Sequence, residues 1–428
     1  MIKYLLSIIF LLSFYAIQAQ KIDPDIEASA EKIESKVIDW RRDIHQYPEL
    51  SNREFKTAEK IAKHLKSLGI EVTEKVAKTG VVGLLKGEKQ GKTVALRADI
   101  DALPVTETAD VPFKSTVKST FLDTDVGVSH ACGHDTHTAI LMGVAEILSK
   151  HRDKINGTVK FIFQPAEEGP PPGEEGGAKL MIKEGVLTNP DVDAIFGLHI
   201  NSATDVGKIR YKPGGTMAAV ERFVINVQGK QTHGSAPWSG VDPILISAKI
   251  IDGLQTIISR EAPLVEEAAV ITVGKITSGV RFNIIPNTAE LIGTVRTLDL
   301  GMRRLIIKRM SEMVPAIAES YGGTATIEFQ NNTSITYNDP ELVQQMLPTL
   351  QGIAGSENVI LSKATTGGED FSYFQEKVPG FYFFLGGKSI GDNNPPSHHT
   401  PEFYIDESGL LLGVKVMSQL TLDYLNAQ

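Results

Sequence analysis

Hydrophobic residues recur along the first half of the chain with two different periods. Between residues 22 and 68 they return every three or four positions, which is typical of helices with one buried face, and the Tyr47-Pro48 step divides this segment into two helices. The segment 136–148 has the same helical period. Short apolar or β-branched runs predict strands at 81–85, 93–96, 158–163 and 194–198. Strands alternating with helices predict an α/β fold, with a mostly parallel sheet covered by helices on both faces.

The pattern changes near residue 213. From there the chain predicts the order strand, helix, strand, strand, helix, strand, at 223–227, 243–259, 269–276, 289–297, 303–321 and 324–329. This order is typical of a ferredoxin-like α+β unit. Helices at 340–354 and 406–425 then resume the first pattern. We therefore predict a catalytic domain formed by residues 20–212 and 331–428, and an inserted domain formed by residues 213–330.

Composition limits the classes of function. The chain has 428 residues, of which 42% are hydrophobic and 22% charged, as in soluble globular proteins of more than one domain. Its formal net charge of −9 argues against a nucleic acid as partner, because phosphate binding needs a basic surface.

Residues 1–19 have the pattern of a secretory signal peptide. Lys3 precedes an apolar run at 4–17, and the small residue Ala19 precedes Gln20. We expect cleavage after Ala19, export to the periplasm or the extracellular space, and no stable membrane anchor. The alternative is an uncleaved anchor helix, although the run is short for a bilayer span of about 20 residues.

Acidic residues and a histidine follow the predicted parallel strands. Asp99 and Asp101 come after one strand, Glu167 and Glu168 after the next, and His199 after a third. Ligands of such sheets bind beyond the carboxyl ends of the strands. The sequence therefore predicts a functional site at this edge of the sheet.

The protein's single cysteine, Cys132, lies two residues before His134. A lone cysteine is most often an inert core residue. Thiolate and imidazole are, however, good ligands of zinc and similar ions, and the neighbouring histidine favours a metal site. With the Glu167-Glu168 pair, His199 and the late His398-His399 pair, these residues predict a two-metal hydrolase.

Six motifs occur in a fixed order from about residue 37 to the C-terminus: Arg41–Leu50, Leu96–Pro104, His130–Asp135, Gln164–Gly169, Gly367–Phe371 and His399–Phe403. In these motifs the chain resembles the M20 metallopeptidases. It is most similar to the amidohydrolase branch, which includes hippurate hydrolases, N-acyl-amino-acid amidohydrolases and auxin-conjugate hydrolases. The resemblance implies that the inserted domain serves as a lid or dimerisation domain.

The resemblance also implies how two divalent metal ions are held. Cys132 would bridge them, in the place of an aspartate in other M20 branches. His134 and His199 would complete one metal site, and Glu168 and His399 the other. Zinc suits the thiolate, with manganese, cobalt and nickel as alternatives.

Further roles follow from the resemblance. Glu167 would be the general base, and Asp101 would orient a histidine ligand. His233 of the inserted domain would hydrogen-bond the oxyanion, often from the partner subunit of a homodimer, and Asn283 and Arg296 would bind the substrate carboxylate. For the Glu167-Glu168 pair, the alternative is a solvated loop. For His233 it is an exposed histidine, and for Arg296 a surface charge.

Four residues near these motifs remain without an assigned role. His399 is preferred to His398 as ligand because the family's ligand lies two residues before a proline, here Pro401. His398 would then contact a metal ligand without binding the metal itself. For Asp135 and His137, the sequence favours neither a structural nor a catalytic role. Glu369 is assigned no role.

The predicted function is metal-dependent hydrolysis of the amide bond of N-acyl-L-amino acids. One alternative is a carboxypeptidase or dipeptidase of the same fold. Another is an exported solute-binding protein, which would need neither a metal pair nor Glu167. The sequence leaves the acyl group, the amino-acid preference, the metal and the oligomeric state open.

Overall fold

The computed structural model describes residues 21–427 of the protein. The predicted signal peptide, residues 1–19, lies outside the described residues. Within residues 21–427, no helix combines the length and the apolar character that a membrane crossing requires.

Helices and strands alternate through most of the chain. The helices of the described residues are α1 (Pro24–Gln46), α2 (Phe55–Ser67), α3 (His134–Lys150), α4 (Gly177–Lys183), α5 (Pro243–Thr256), α6 (Leu300–Ser320), α7 (Pro340–Ala354), α8 (Ser372–Gln375) and α9 (Leu410–Asn426). Several begin at an aspartate whose carboxylate accepts a backbone N–H of the first turn, which stabilises the helix start: Asp23, Asp242, Asp299 and Asp339.

The longest strands all belong to the two larger sheets. They are β1 (Glu71–Val76), β2 (Gly80–Lys86), β3 (Lys89–Asp99), β4 (Lys118–Phe121), β5 (Thr124–Gly127), β6 (Asn156–Gln164), β7 (Ala194–Asp205), β8 (Ile209–Tyr211), β9 (Gly214–Met217), β10 (Ala219–Gln228), β11 (Thr232–His233), β12 (Ala269–Ser278), β13 (Ile284–Ile285), β14 (Thr288–Thr297), β15 (Thr324–Thr333), β16 (Thr336–Asn338), β17 (Val359–Leu361) and β18 (Gly380–Lys388).

Among the described residues, eight strands form the main sheet in the order β1-β2-β6-β3-β7-β18-β8-β17. The central strands β6, β3, β7 and β18 run parallel, whereas β1, β2 and β8 make antiparallel pairs. The predicted mostly parallel α/β sheet is confirmed. The sequence analysis missed β18, whose run from Phe381 to Leu385 is almost fully buried and pairs with β7.

Helices cover both faces of the main sheet. Side chains of α1, α2, α3, α7 and α9 pack against one face, where β3 contributes Val94 and Leu96. On the other face, Ala95 of β3 packs with residues of α4 and α8. Successive residues of β3 point to opposite faces, so the segment 94–96, which is buried on both sides, is continuously apolar.

The second large sheet is antiparallel, with the strand order β12-β14-β10-β15. Alternate residues of β10, including Phe223 and Ile225, are buried in one core with α5 and α6. The connection order together with this strand order is that of a ferredoxin-like unit, which confirms the predicted fold of the inserted segment.

Candidate metal centre

The predicted metal ligands meet at the carboxyl ends of the central strands. α3 begins at His134, directly after the Cys132-Gly133 turn, and Glu168 lies in the loop after β6. His199 differs from the prediction, since it lies within β7 rather than beyond its end. β7 continues to Asp205 because its backbone pairs with β18, with His199 opposite Phe384.

Two groups of donor atoms share one sulfur atom. The Sγ atom of Cys132 lies 3.4 Å from Nε2 of His199 and 3.3 Å from Nε2 of His399. Donor atoms of Cys132, His134 and His199 all lie within 4.8 Å of one another, and so do those of Cys132, Glu168 and His399. The structure thus brings together the five ligands that the resemblance implies, in the same two groups.

The histidines of the first group are held with one nitrogen free for a metal. Nδ1 of His134 lies 2.9 Å from the carbonyl oxygen of Asp101, and Nδ1 of His199 lies 2.6 Å from that of Ile200. Nε2 of His134 is buried without a hydrogen-bond partner. A cation would satisfy this nitrogen, and histidine ligands usually donate their other N–H in this way.

The surroundings of the Cys132 thiol suit a metal ligand better than a neutral core side chain. Burial, together with the nearby Glu168 and Glu167 carboxylates, raises the pKa of Cys132 well above its usual range. A bound cation reverses this effect, because coordination favours the thiolate. The donor set of one thiolate, three histidines and a carboxylate suits zinc or another borderline divalent ion.

His398 uses both ring nitrogens in contacts with the backbone. Nδ1 donates to the carbonyl oxygen of Cys132 at 3.1 Å, and Nε2 accepts the N–H of Ser202 at 3.2 Å. Nε2 of His399, in contrast, lies 3.0 Å from Oε1 of Glu168 and faces the sulfur of Cys132. The structure therefore directs His399, and not His398, to the ligand group.

We expect His399→Ala to lower the bound-metal stoichiometry by about one ion per chain, since this variant removes one of three donors in its group. His398→Ala is the matched control. It removes two hydrogen bonds to the backbone and should lower thermal stability while the stoichiometry stays that of the parent. Elemental analysis after dialysis measures the first effect and thermal unfolding the second. Loss of a metal from the His398 variant alone would contradict the assignment.

Asp101 links a ligand to the loop that carries Glu167. Its carboxylate lies 3.2 Å from Nδ1 of His134 and accepts the backbone N–H groups of Glu167 and Glu168, each at 3.1 Å. It also accepts the hydroxyl of Ser51 at 2.7 Å. Asp101 thus contacts His134 and the backbone of both glutamates, and its predicted role in orienting the histidine stays a prediction.

The Glu167 carboxylate faces further acidic groups. Its donor oxygens lie within 4.8 Å of those of Glu369 and Asp370. Burial and the neighbouring Glu369 and Glu168 charges raise the pKa of Glu167 well above its usual range. A carboxyl group with a raised pKa retains an accepted proton more readily, as its return to a leaving amine requires.

A fully buried arginine, Arg97, balances this acidic cluster. Its guanidinium lies 2.7 Å from Asp99, 2.9 Å from Glu369 and 3.1 Å from Asp370. The hydroxyl of Tyr382 donates to the other oxygen of Glu369 at 2.7 Å. Arg97 thus joins three carboxylates, and Glu369 is held at both of its oxygens. The sequence analysis assigned no role to Arg97, and its place in the Leu96–Pro104 motif was the one available indication of importance.

Glu54 is a second residue that the sequence analysis missed. Ala166 has a left-handed backbone with φ of 52°, which is costly for a residue with a Cβ. Its N–H donates to Oε1 of the buried Glu54 at 2.9 Å, so this bond stabilises the strained loop before Glu167. Burial raises the pKa of Glu54 to about 7.

Polar atoms of Asp135 and His137 contact other buried groups, outside the two ligand groups. Asp135 lies 2.7 Å from Nε of the buried Arg41 and 2.8 Å from Nδ1 of His45. His137 donates from Nδ1 to Asp99 at 2.6 Å and accepts the N–H of Ile200 at Nε2. These contacts favour a structural role for both.

The predicted residues of the inserted domain lie outside the two ligand groups. His233 is on β11, which pairs with β13, and the carbonyl oxygen of Asn283 accepts the N–H of the adjacent Gly234 at 2.9 Å. Oδ1 of Asn283 is buried without a hydrogen-bond partner. Arg296 on β14 reaches the carbonyl oxygen of Thr366 at 3.5 Å, close to the segment of Glu369. The roles of these three residues stay predictions.

Comparison with known proteins places this geometry in a family. The profile described as "Peptidase family M20/M25/M40" matches residues 95–423. Thermostable carboxypeptidase 2 of Saccharolobus solfataricus is 42% identical over 95% of this chain and 99% of its own length. N-acetyl-L-cysteine deacetylase of Bacillus subtilis is 38% identical over 89% of this chain and 86% of its own length.

A solved structure supports the same relationship. The crystal structure of a dinuclear metal-binding M20 peptidase of Bacillus subtilis has 35% sequence identity and a TM-score of 0.78 to this chain. It covers 93% of this chain, and the match includes 100% of the solved chain.

Proposed function

The chain belongs to peptidase family M20/M25/M40, and from this premise we propose that it hydrolyses the amide bond of N-acyl-L-amino acids with two divalent metal ions. The observation that carries the proposal is the Cys132 sulfur, which belongs to two ligand groups beside Glu167. The relatives are consistent with amide hydrolysis, since one is named a deacetylase and another a dinuclear metal-binding peptidase.

Divalent cations held by the two ligand groups around Cys132 would supply Lewis acidity for the scissile carbonyl group and the attacking water. Glu167 takes a proton from the attacking water while the oxygen of this water bonds to the carbonyl carbon. Glu167 then donates the proton to the nitrogen of the leaving amine. Asp101 keeps Glu167 in place through the backbone N–H, and the Arg97 cluster limits the charge around it.

Residues of the inserted domain complete the proposed site. His233 hydrogen-bonds the oxyanion, either within one chain or from the partner subunit of a homodimer. Asn283 and Arg296 bind the carboxylate of the amino-acid product, for which arginine offers two parallel N–H donors. We further propose zinc as the metal, because of the thiolate, and export directed by residues 1–19.

A second candidate function is that of a carboxypeptidase or dipeptidase. The observation in its favour is the 42% identity to thermostable carboxypeptidase 2. Both functions use the same metal centre and the same attack on an amide carbonyl. They differ in whether the acyl group carries an amino group.

A substrate panel on metal-reconstituted protein separates the candidates. We expect kcat/KM for N-acyl amino acids to exceed that for dipeptides of the same C-terminal residue by at least about tenfold, the discrimination that a few pocket contacts provide. Amino-acid release measured by chromatography gives both values. A preference for dipeptides would support the second function. Metal-free protein that binds these compounds tightly, with no turnover after reconstitution with zinc or manganese, would support a solute-binding protein.

A further inference from the structure

An apolar cavity of about 330 Å³ opens directly beside the metal ligand Glu168. One side is the loop that follows Glu168, and another is the hairpin formed by β4 and β5. Most of its wall is apolar: Leu50, Leu103, Pro104, Phe121, Pro171 and Pro172. Resting on the proposed function, we propose that this cavity binds the acyl group of the substrate, and that the enzyme prefers extended aliphatic or aromatic acyl groups to acetyl.

Two polar side chains of the wall are already engaged. Arg53 pairs with Glu174 at 2.6 Å, and the Ser51 hydroxyl donates to Asp101 at 2.7 Å. These groups therefore do not require a polar partner from a ligand. A hydrocarbon group entering the cavity is released from water and loses no hydrogen bond of its own, so its burial is favourable.

The wall is built before any ligand arrives. Leu50 and Ala102 form a backbone bridge and, together with Val128, a small buried cluster against which Phe121 packs. This cluster fixes the base of the β4–β5 hairpin to the strand-end segment at Ala102. A pre-formed apolar wall is typical of small-molecule sites, and the volume lies within the usual range of about 300–1,000 Å³.

A second cavity lies on the other side of the same loop and has a different character. It measures about 510 Å³ and is lined by charged residues, including Glu174, Lys179 and Lys183. The segment that carries Glu167 and Glu168 thus lies between a charged cavity and an apolar one. Carboxylates outnumber ammonium groups in the lining of the charged cavity, so it suits neither an acyl group nor the substrate carboxylate, which stays assigned to Asn283 and Arg296. The apolar cavity is the side that matches the acyl group.

The β4–β5 hairpin allows a matched pair of variants. Ser119 is exposed on β4 and lines the cavity, whereas Lys118, its neighbour on the same strand, is exposed and does not. Ser119→Trp should fill the cavity, and Lys118→Trp is the control. Both changes lie on a solvent-exposed hairpin, and thermal unfolding verifies that each variant is folded.

The experiment compares N-acetyl-, N-hexanoyl- and N-benzoyl-leucine on the metal-reconstituted enzyme. In the parent, kcat/KM should be at least about tenfold higher for the two larger groups, since each buried methylene contributes measurably to discrimination. Ser119→Trp should lose at least about tenfold on these two and a clearly smaller factor on N-acetyl-leucine, whose acyl group fills less of the cavity. Lys118→Trp should resemble the parent on all three.

A binding measurement makes the test independent of turnover. In the Glu167→Gln background with metal bound, calorimetry should give tighter binding of N-hexanoyl-leucine than of N-acetyl-leucine, and Ser119→Trp should remove this difference. Equal kcat/KM for all acyl groups, or an equal loss on all of them in Ser119→Trp, would overturn the cavity assignment and leave the proposed function intact. Hydrolysis of dipeptides with none of any N-acyl amino acid would instead overturn the proposed function.

Discussion

The Glu167→Gln variant should lose about 10³-fold to 10⁴-fold in kcat, because one residue acts first as base and then as acid. Glutamine keeps the size of the side chain but cannot accept a proton from water. The metal ligands are unchanged, since Glu168 and not Glu167 belongs to the ligand group with Cys132. We therefore expect parent-like metal content and a KM within about threefold of the parent, measured by elemental analysis and steady-state kinetics.

Glu175→Gln provides the matched control for this variant. It makes the same substitution in the same loop, at an exposed residue that pairs with Lys183 at 2.9 Å. Exposed ion pairs contribute little to stability, so activity should stay within about twofold of the parent. If the Glu167 variant kept more than a tenth of the parent kcat, Glu167 would not be the general base.

The Cys132→Ala variant should lose both bound metal ions and about three orders of magnitude in activity. Among the described residues, Cys132 is the one donor shared by the two groups around the sulfur, so its loss weakens both sites together. The lost Lewis acidity amounts to several kcal/mol of transition-state stabilisation, which corresponds to a rate loss of this size. Metal content, activity and thermal stability with and without a chelator measure the effect.

Cys132→Asp distinguishes a metal-bridging role from simple packing. A carboxylate offers two oxygens to two cations but fits an apolar position poorly, so only a bridging role predicts partial recovery. We expect the Asp variant to bind more metal than the Ala variant and to recover part of the activity. An Ala variant that retained both metal ions and full activity would show that the sulfur is an inert core atom.

The two sheets illustrate how far the sequence predicts the fold. Period-two and period-3.6 patterns are local, so the helix at 340–354 and the strands of the inserted unit agree with the structure within a few residues. β18 was missed although its apolar run resembles those that predicted β6 and β7, because such a run does not by itself distinguish a strand from a buried helix segment. The prediction that His199 lies beyond the end of its strand was wrong. The end of β7 depends on pairing with β18, which lies far away in the chain.

The candidate site shows a similar division. The ligand types and their order are present in the sequence, because each metal donor must have a particular chemistry wherever the chain places it. The choice between His398 and His399 was supported by one proline but depends in the structure on which ring meets Cys132. The residues next to Arg97 and Glu54 in the sequence do not show whether these two side chains support the site or belong to an ordinary buried ion pair.

The sequence by itself determined the alternation of helices and strands, the acidic surface, and the set of thiol, imidazole and carboxylate donors. Tertiary structure alone decided that Arg97 neutralises the acidic cluster and that Glu54 holds the loop at Ala166. It also placed an apolar cavity next to Glu168. The physical reason is distance along the chain. Periodicity and donor chemistry are properties of neighbouring residues, whereas burial, charge balance and cavity shape arise only when segments a hundred or more residues apart come into contact.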